Sequence, residues 1–355
     1  MRETLFTVGP VEMYPETLAQ GGKQLPYFRT EEFSRIVRGC DEGMQALTGA
    51  PPGAKTAILT CSGTGAMEAT VVNFLSGTDK ALIIRGGSFG ERFCEICVDD
   101  GVPFDAVEIE PGRALDLGQL ESRDLSGCKA LYVNACETST GALYDITALG
   151  EFCRRHDLYF IVDGISAFLC DSLHMRDMSI DALIVSSQKA LALPPGLSMI
   201  VMAPRLVSLL EHSRPRAHYL GLHRHLTDMR RGQTPFTPAV GIILQLFDRI
   251  RSLRGIGADA SVQRVATLAK HFRRGLGDLP LRVFPENPSN ALTALSPQNG
   301  KSAYEIYLRL KEDHGLVVTP NGGALRDSVF RVGHMGNLAE SDLDRVLAAL
   351  REVMK

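Results

Sequence analysis

The stretch Ser186-Ser187-Gln188-Lys189-Ala190-Leu191-Ala192-Leu193-Pro194-Pro195-Gly196 decides how this chain is read, together with Ile161-Val162-Asp163-Gly164-Ile165-Ser166 upstream of it. The upstream segment is an apolar strand that ends on an aspartate. The downstream one is a strand over 182–186 that runs into a Ser/Pro/Gly loop displaying a single lysine. An amine held in such a loop can condense with an aldehyde. A strand-end carboxylate can keep a ring nitrogen protonated. Taken singly, each residue has a plainer reading, as a solvated lysine or a helix-capping aspartate. Their order and spacing, and the segments around them, favour the chemical reading.

Outward from this pair, apolar β-branched runs alternate with helical patterns. Strands are expected over 55–61, 80–84, 104–108, 130–133, 159–162, 182–186 and 197–202. Helices are expected over 66–76, 89–101, 147–156 and 205–211. Such alternation predicts an α/β fold built on a mainly parallel sheet covered on both faces. From Pro235 a long amphipathic stretch leads to a different pattern. Helices over 261–276, 303–313 and 340–354 are interleaved with short strands over 282–284, 290–295 and 329–332, which reads as a smaller C-terminal α/β domain with an antiparallel sheet. The expected organisation is an N-terminal arm (1–20), a large domain (21–245) and a small domain (246–355).

A chain of 355 residues with 45% hydrophobic and 22% charged residues has the composition of a soluble globular enzyme. The net charge of −3 offers no reason to expect nucleic acid or an anionic membrane as partner. No apolar run approaches the ~20 residues of a membrane span, and the N-terminus lacks a signal-peptide core. A cytoplasmic location is expected. The 8 cysteines are scattered and read as reduced thiols. Cys94 and Cys97 form a CxxC without a second ligand pair, so they read as neighbours on one helix face and no metal site is expected. The segment around His218, His223 and His225, with Arg214, Arg216, Arg224, Arg230 and Arg231, reads as polar and mobile, near the active site or a subunit contact.

Further segments fall just past strand ends, where open α/β sheets bind ligands. Ser62-Gly63-Thr64-Gly65-Ala66 joins a strand to a helix whose free N–H groups suit an anion. Gly86-Gly87-Ser88-Phe89 places an aromatic where it can lie on a heteroaromatic ring. Asn134-Ala135-Cys136-Glu137-Thr138-Ser139-Thr140-Gly141 is rich in hydroxyls, and its plainer reading is a turn that caps the helix near Thr147. Arg331 ends a strand and offers a guanidinium fork to a carboxylate, or alternatively an ion pair between domains. A lysine amine, a strand-end carboxylate and an anion-binding turn are together what pyridoxal 5′-phosphate (PLP) requires of a protein.

In this order the segments resemble the class V aminotransferases, of PLP-transferase fold type I, and among them the alanine/serine:glyoxylate and 2-aminoethylphosphonate:pyruvate aminotransferases. The resemblance runs from Val8-Gly9-Pro10 to Phe330-Arg331-Val332-Gly333. Its most specific parts are Ser187-Gln188-Lys189 with Pro194-Pro195-Gly196, and Glu137-Thr138-Ser139-Thr140-Gly141. It implies a large domain with a mainly parallel seven-stranded sheet, and PLP bound as a Schiff base to Lys189 with Asp163 at the pyridine nitrogen. It implies further that Phe89 stacks on the ring, that Thr64, Gly65, Ala66 and Gln188 meet the phosphate, and that Thr138 lies near the ring oxygen. Thr237 matches a threonine that reaches the phosphate of the neighbouring subunit, which implies a homodimer with shared active sites. Arg331 and Gly9 fall at substrate-binding positions. Thr234 and Phe236 stand where many relatives carry a tyrosine, and Leu25-Pro26-Tyr27-Phe28-Arg29-Thr30 departs from the usual substrate-entrance sequence.

The activity implied is transamination between a small amino donor, an amino acid or aminophosphonate, and a 2-oxo acid such as pyruvate or glyoxylate. Two alternatives stand beside it. One is a PLP lyase or desulfurase of the same fold, which needs a cysteine in the C-terminal part, whereas the last one here is Cys170. The other is a non-catalytic protein that keeps the fold for binding.

Overall fold

A seven-stranded sheet organises the first two thirds of the chain in the computed structural model, which describes residues 3–355. From one edge the strands run Lys55–Leu59, Ser198–Met202, Ala182–Ser186, Tyr159–Asp163, Cys128–Asn134, Lys80–Arg85 and Phe104–Glu108. Ser198–Met202 is antiparallel to both neighbours; the remaining pairs are parallel. Alternate residues feed opposite faces. Leu82, Leu131, Val133, Val162, Leu183, Val185, Met199 and Val201 enter one apolar cluster. Ile83, Ala130, Tyr132, Ile161, Ile184, Ile200 and Met202 enter the other. Burial on both faces explains why these strands read as unbroken apolar runs rather than as alternating ones.

Helix Glu31–Leu47 was not evident from sequence. Thr30 caps it, its side chain accepting from Phe33 N–H, and it buries Phe33, Val37, Cys40, Met44 and Leu47 at helical spacing. Burying one such large side chain is worth about 1.5–3 kcal/mol, against about 1 kcal/mol for a cap, so packing dominates. It packs closely on helix Val240–Ile256. A Cβ at Gly43 would lie 2.2 Å from Ile250 Cγ2, so a glycine there permits the approach.

The C-terminal part carries an antiparallel sheet in the order Leu281–Val283, Leu292–Pro297, Phe330–Gly333, Thr319–Pro320. Helices Ala258–Gly275, Ala303–His314 and Glu340–Val353 pack on it through Phe272, Ile306, Leu310, Val346 and Leu350. The N-terminal strand Thr4–Leu5 pairs in parallel with Leu316–Val317 and sends Phe6 into that core. The strands expected over 104–108 and 182–186 have those bounds in the structure; the other expected strands and helices are present with ends shifted by a few residues.

One expectation is corrected. The segment rich in His and Arg is not simply polar and loose. Leu222–Met229 is a helix that buries Leu222, His225 and Met229. His225 Nε2 hydrogen-bonds Tyr219 O at 3.2 Å, and burial lowers its pKa. Arg230 pairs with Glu211 and Arg231 with Asp228. Cys94 and Cys97 lie buried on helix Ser88–Asp99. Among the described residues no three His, Cys, Asp or Glu side chains gather as a metal would need, and no helix is long and apolar enough to cross a membrane.

Candidate active site

Strands Tyr159–Asp163 and Ala182–Ser186 are parallel neighbours, so Asp163 and the loop after Ser186 emerge at the same sheet edge. Ser187 closes that loop. Its N–H donates to Leu197 O (2.9 Å), its Oγ donates to Pro194 O (2.6 Å), and the same Oγ accepts from Leu197 N–H (3.3 Å). Ala192, at φ 56, turns the chain and donates to Lys189 O at 2.8 Å. Lys189 is thereby directed inward, and only 8% of it is exposed. Its Nζ donates to Val8 O. Gly9, at φ +123, lies against its methylenes: a Cβ there would be 2.7 Å from Lys189 Cδ.

Asp163 is buried. Its Oδ2 accepts from Asn134 Nδ2 at 2.6 Å and its Oδ1 from Ile165 N–H at 2.8 Å. Burial pushes its carboxyl up to about 6, opposed by these hydrogen bonds and by the Lys189 charge. Burial lowers the Lys189 amine to about 8; Asp163 resists that shift and Arg331 adds to it. Burial thus brings the two groups toward neutrality from opposite sides, the kind of perturbation that gathers at functional sites.

Across the site, Arg331 sits on strand Phe330–Gly333. Its Nη1 donates to Thr138 O (2.9 Å) and its Nη2 to Pro320 O (2.6 Å). Nε is buried without a partner. Burial lowers its pKa to about 10, with Glu137 opposing. Thr138 Oγ1 shares a 2.7 Å hydrogen bond with Ser166 Oγ, just beyond Asp163. Asn321 Nδ2 donates to Ser139 O at 3.0 Å, so the C-terminal sheet grips the 137–141 loop at two points.

Phe89 opens helix Ser88–Asp99, whose first N–H groups are capped from a distance. The buried Glu137 carboxylate accepts from Phe89 N–H (3.1 Å), Gly90 N–H (3.0 Å) and Ser139 Oγ (2.6 Å). The 134–141 loop thus caps this helix, while the helix beginning at Ile146 is capped by Asp145. Thr64, Gly65 and Ala66 form the first turn of helix Gly63–Phe74, where Ser62 makes no side-chain cap. Its leading N–H groups are open to an anion. Gln188 Oε1 is buried and unpartnered. Of the residues expected at the site, Thr237 alone is exposed; its segment is anchored by Ala239 N–H to Thr60 Oγ1 at 2.9 Å.

Residues 11–323 match the family model described as aminotransferase class-V. The chain is a class V aminotransferase. A Synechococcus protein named soluble hydrogenase, small subunit, is 29% identical over 99% of this chain and 92% of its own length. The alanine–glyoxylate aminotransferase of Oryctolagus cuniculus is 27% identical over 99% and 92%. Among solved structures, the subgroup IV aspartate aminotransferase of Thermus thermophilus superposes with a TM-score of 0.92 at 26% identity, covering 99% of both chains.

This family works with pyridoxal phosphate. The aminotransferase's own residues fit that cofactor. They include an inward amine, a buried carboxylate, an uncapped helix start, and unsatisfied polar atoms on Gln188, Asn134 and Arg331. Buried polar atoms ordinarily have partners, and the orphans on Asn134, which bonds Asp163, on Gln188, which precedes Lys189, and on Arg331 leave bonds that a polar guest can take.

Sequence reasoning did not assign roles to Asn134, Ser166 or Glu137. Asn134 could have been found by aligning the ends of the two motif-bearing strands, since it stands in register with Asp163. Nothing in the local sequence signals that Glu137 caps a helix so far upstream.

Proposed function

We propose that this enzyme transaminates between a small amino donor, an amino acid or aminophosphonate, and a 2-oxo acid such as pyruvate or glyoxylate. The observation that carries the proposal is the buried Lys189 amine beside the Asp163 carboxylate, with the Arg331 guanidinium fixed across from them. PLP, when bound, supplies an electrophilic aldehyde and a protonated ring that accepts electron density from the substrate.

Lys189 Nζ would be the attachment point for the cofactor and, when free, its amine would be the base for a proton on the donor carbon. Asp163, with both oxygens oriented by neutral donors, holds a proton on the ring nitrogen; a cation there returns its own pKa toward the ordinary range. Phe89 would cover the ring, Thr64, Gly65, Ala66 and Gln188 would hold the phosphate, and Thr138 would stand on the side of the ring oxygen. Arg331 and Gly9 bound the substrate, with Arg331 forking onto its carboxylate; a phosphonate suits the same fork. The alanine–glyoxylate and L-aspartate–glyoxylate aminotransferases among the relatives support a 2-oxo acid of glyoxylate size.

The exposed Thr237 supports a homodimer in which each copy completes the other's phosphate site. A cytoplasmic location remains part of this reading, on the composition of the chain.

The test is the half-reaction. Pure protein mixed with one amino donor and no oxo acid should convert its cofactor to the amine form, seen by absorbance. A panel of donors, followed by pyruvate or glyoxylate, identifies both substrates. A cofactor that no donor converts would reject transamination.

A further inference from the structure

Arg92 lies one turn into helix Ser88–Asp99, three residues after Phe89. Its guanidinium lies over the Phe89 ring, 4.7 Å from the centroid. Its Nη1 also donates to Thr64 Oγ1 at 3.3 Å. One side chain therefore joins the aromatic expected on the cofactor ring to the hydroxyl expected on the phosphate. Among the described residues no carboxylate pairs with it, so none of them neutralises its charge.

The bond to Thr64 has a direction. A hydroxyl carries one proton and two acceptor lone pairs. An arginine can only donate, so it occupies a lone pair and leaves the Thr64 proton free for another acceptor. Thr64 lies in the first turn of helix Gly63–Phe74, beside N–H groups with no side-chain cap. An anion seated there would take those N–H groups and the Thr64 O–H together, near the positive helix end.

We propose that Arg92 is a positioning residue for the cofactor. It sets the Thr64 hydroxyl to donate toward the phosphate, adds an unpaired positive charge at that corner, and lies over one face of the Phe89 ring. The proposal rests on the cofactor site described above.

The test uses cofactor-free protein and two probes, PLP itself and inorganic phosphate as a competitor of PLP binding. Arg92→Met should weaken both by about tenfold, the effect of losing one charge-assisted hydrogen bond. Arg92→Lys, which keeps a cation and a donor, should recover most of the loss. In a Thr64→Val background, Arg92→Met should weaken PLP binding by less than it does in wild type, because the hydroxyl it orients is gone and only its charge and its contact with Phe89 remain to be lost. Unchanged affinities in Arg92→Met, or losses that multiply in the double variant, would overturn the proposal. If Arg92→Met does not fold, by circular dichroism, Arg92→Gln against Arg92→Lys makes the same comparison. Wild-type protein that takes up no PLP would instead overturn the site itself, and the inference with it.

Discussion

Asn134 and Asp163 face each other at the ends of neighbouring parallel strands, and the Asn134 amide donates to Asp163 Oδ2 at 2.6 Å. Ile165 N–H holds the other oxygen. Neither donor titrates, so the carboxyl is oriented without being neutralised, and burial leaves its pKa at about 6 against an ordinary 3.8. Between those values the folded, cofactor-free protein binds this proton more readily than the unfolded chain. The stability the group contributes is full below the ordinary value and is lost as pH rises through about 6. Asp163→Asn removes that titration. Thermal melts of cofactor-free protein should show the variant gaining on wild type as pH rises through this window. A pH-independent difference would contradict the burial of Asp163.

Lys189 shifts the other way. Its folded pKa of about 8 lies below the ordinary 10.5 because of burial. Its contribution to stability is present above the ordinary value and lost as pH falls through about 8. The same titration controls reactivity, since only the neutral amine attacks an aldehyde. The rate of PLP capture by cofactor-free protein, followed by stopped-flow absorbance, should rise about tenfold per pH unit below about 8 and level off above it. Lys189→Ala should show no such step, and borohydride reduction followed by peptide mass spectrometry should find the cofactor on Lys189 of wild type.

Gly9 leaves room for the Lys189 side chain. A methyl there would sit 2.7 Å from Lys189 Cδ on a backbone at φ +123. Gly9→Ala should cost about 1–3 kcal/mol in stability, from backbone strain and overpacking, and should lower cofactor occupancy. Gly77, exposed with open space around its Cβ direction, is the control: Gly77→Ala should stay within about 0.5 kcal/mol. Equal melting temperatures and occupancies for the two variants would mean that the Lys189 methylenes do not lie against Gly9.

The legible and illegible parts of this chain divide along a physical line. Strand Ala182–Ser186 was readable to the residue because a doubly covered strand is apolar throughout and stops at turn-forming residues, whereas Phe104–Glu108 is a half-exposed edge strand whose bounds are marked by Pro103 before it and Pro111-Gly112 after it. Lys189 and Asp163 were readable for the same reason as Ala182–Ser186, since Asp163 ends a doubly covered strand and Lys189 follows one. Helix Leu222–Met229 was hidden because its buried face is short and includes a histidine among arginines. The roles of Asn134 and Glu137 depend on strand register and on contact with a distant helix, and local composition encodes neither. Arg331 was readable as a guanidinium on a C-terminal strand. Its grip on the Thr138 carbonyl depends on how the C-terminal sheet meets the 137–141 loop.

Glu137 joins two parts of the site. It accepts from the N–H groups of Phe89 and Gly90, while the next residue's carbonyl accepts from Arg331. Glu137→Ala would strand those N–H groups in a buried place and remove an opposite charge that acts on Arg331. A cost of about 2 kcal/mol in unfolding free energy is expected from the lost cap and its charge-assisted bonds. Glu137→Gln, which keeps an acceptor oxygen, should recover about half. A melt unchanged in Glu137→Ala would show that the helix start does not depend on this carboxylate.

Arg331 gives the sharpest kinetic prediction. Both terminal nitrogens are tethered to carbonyls, so the guanidinium plane is fixed before substrate arrives, and its Nε is left unpaired. A pre-oriented fork binds a carboxylate by two bonds at little entropic cost. Arg331→Lys keeps the charge but loses the fork and at least one tether. KM for a carboxylate-bearing donor should therefore rise about 10–100-fold, by loss of roughly 1.4–2.8 kcal/mol of binding, with kcat falling far less. An amine without carboxylate or phosphonate, poor with wild type, should be almost unaffected by the change. If kcat fell as steeply as kcat/KM while KM held, Arg331 would be acting in the transition state rather than in binding, and its assignment to the substrate's anionic group would be wrong.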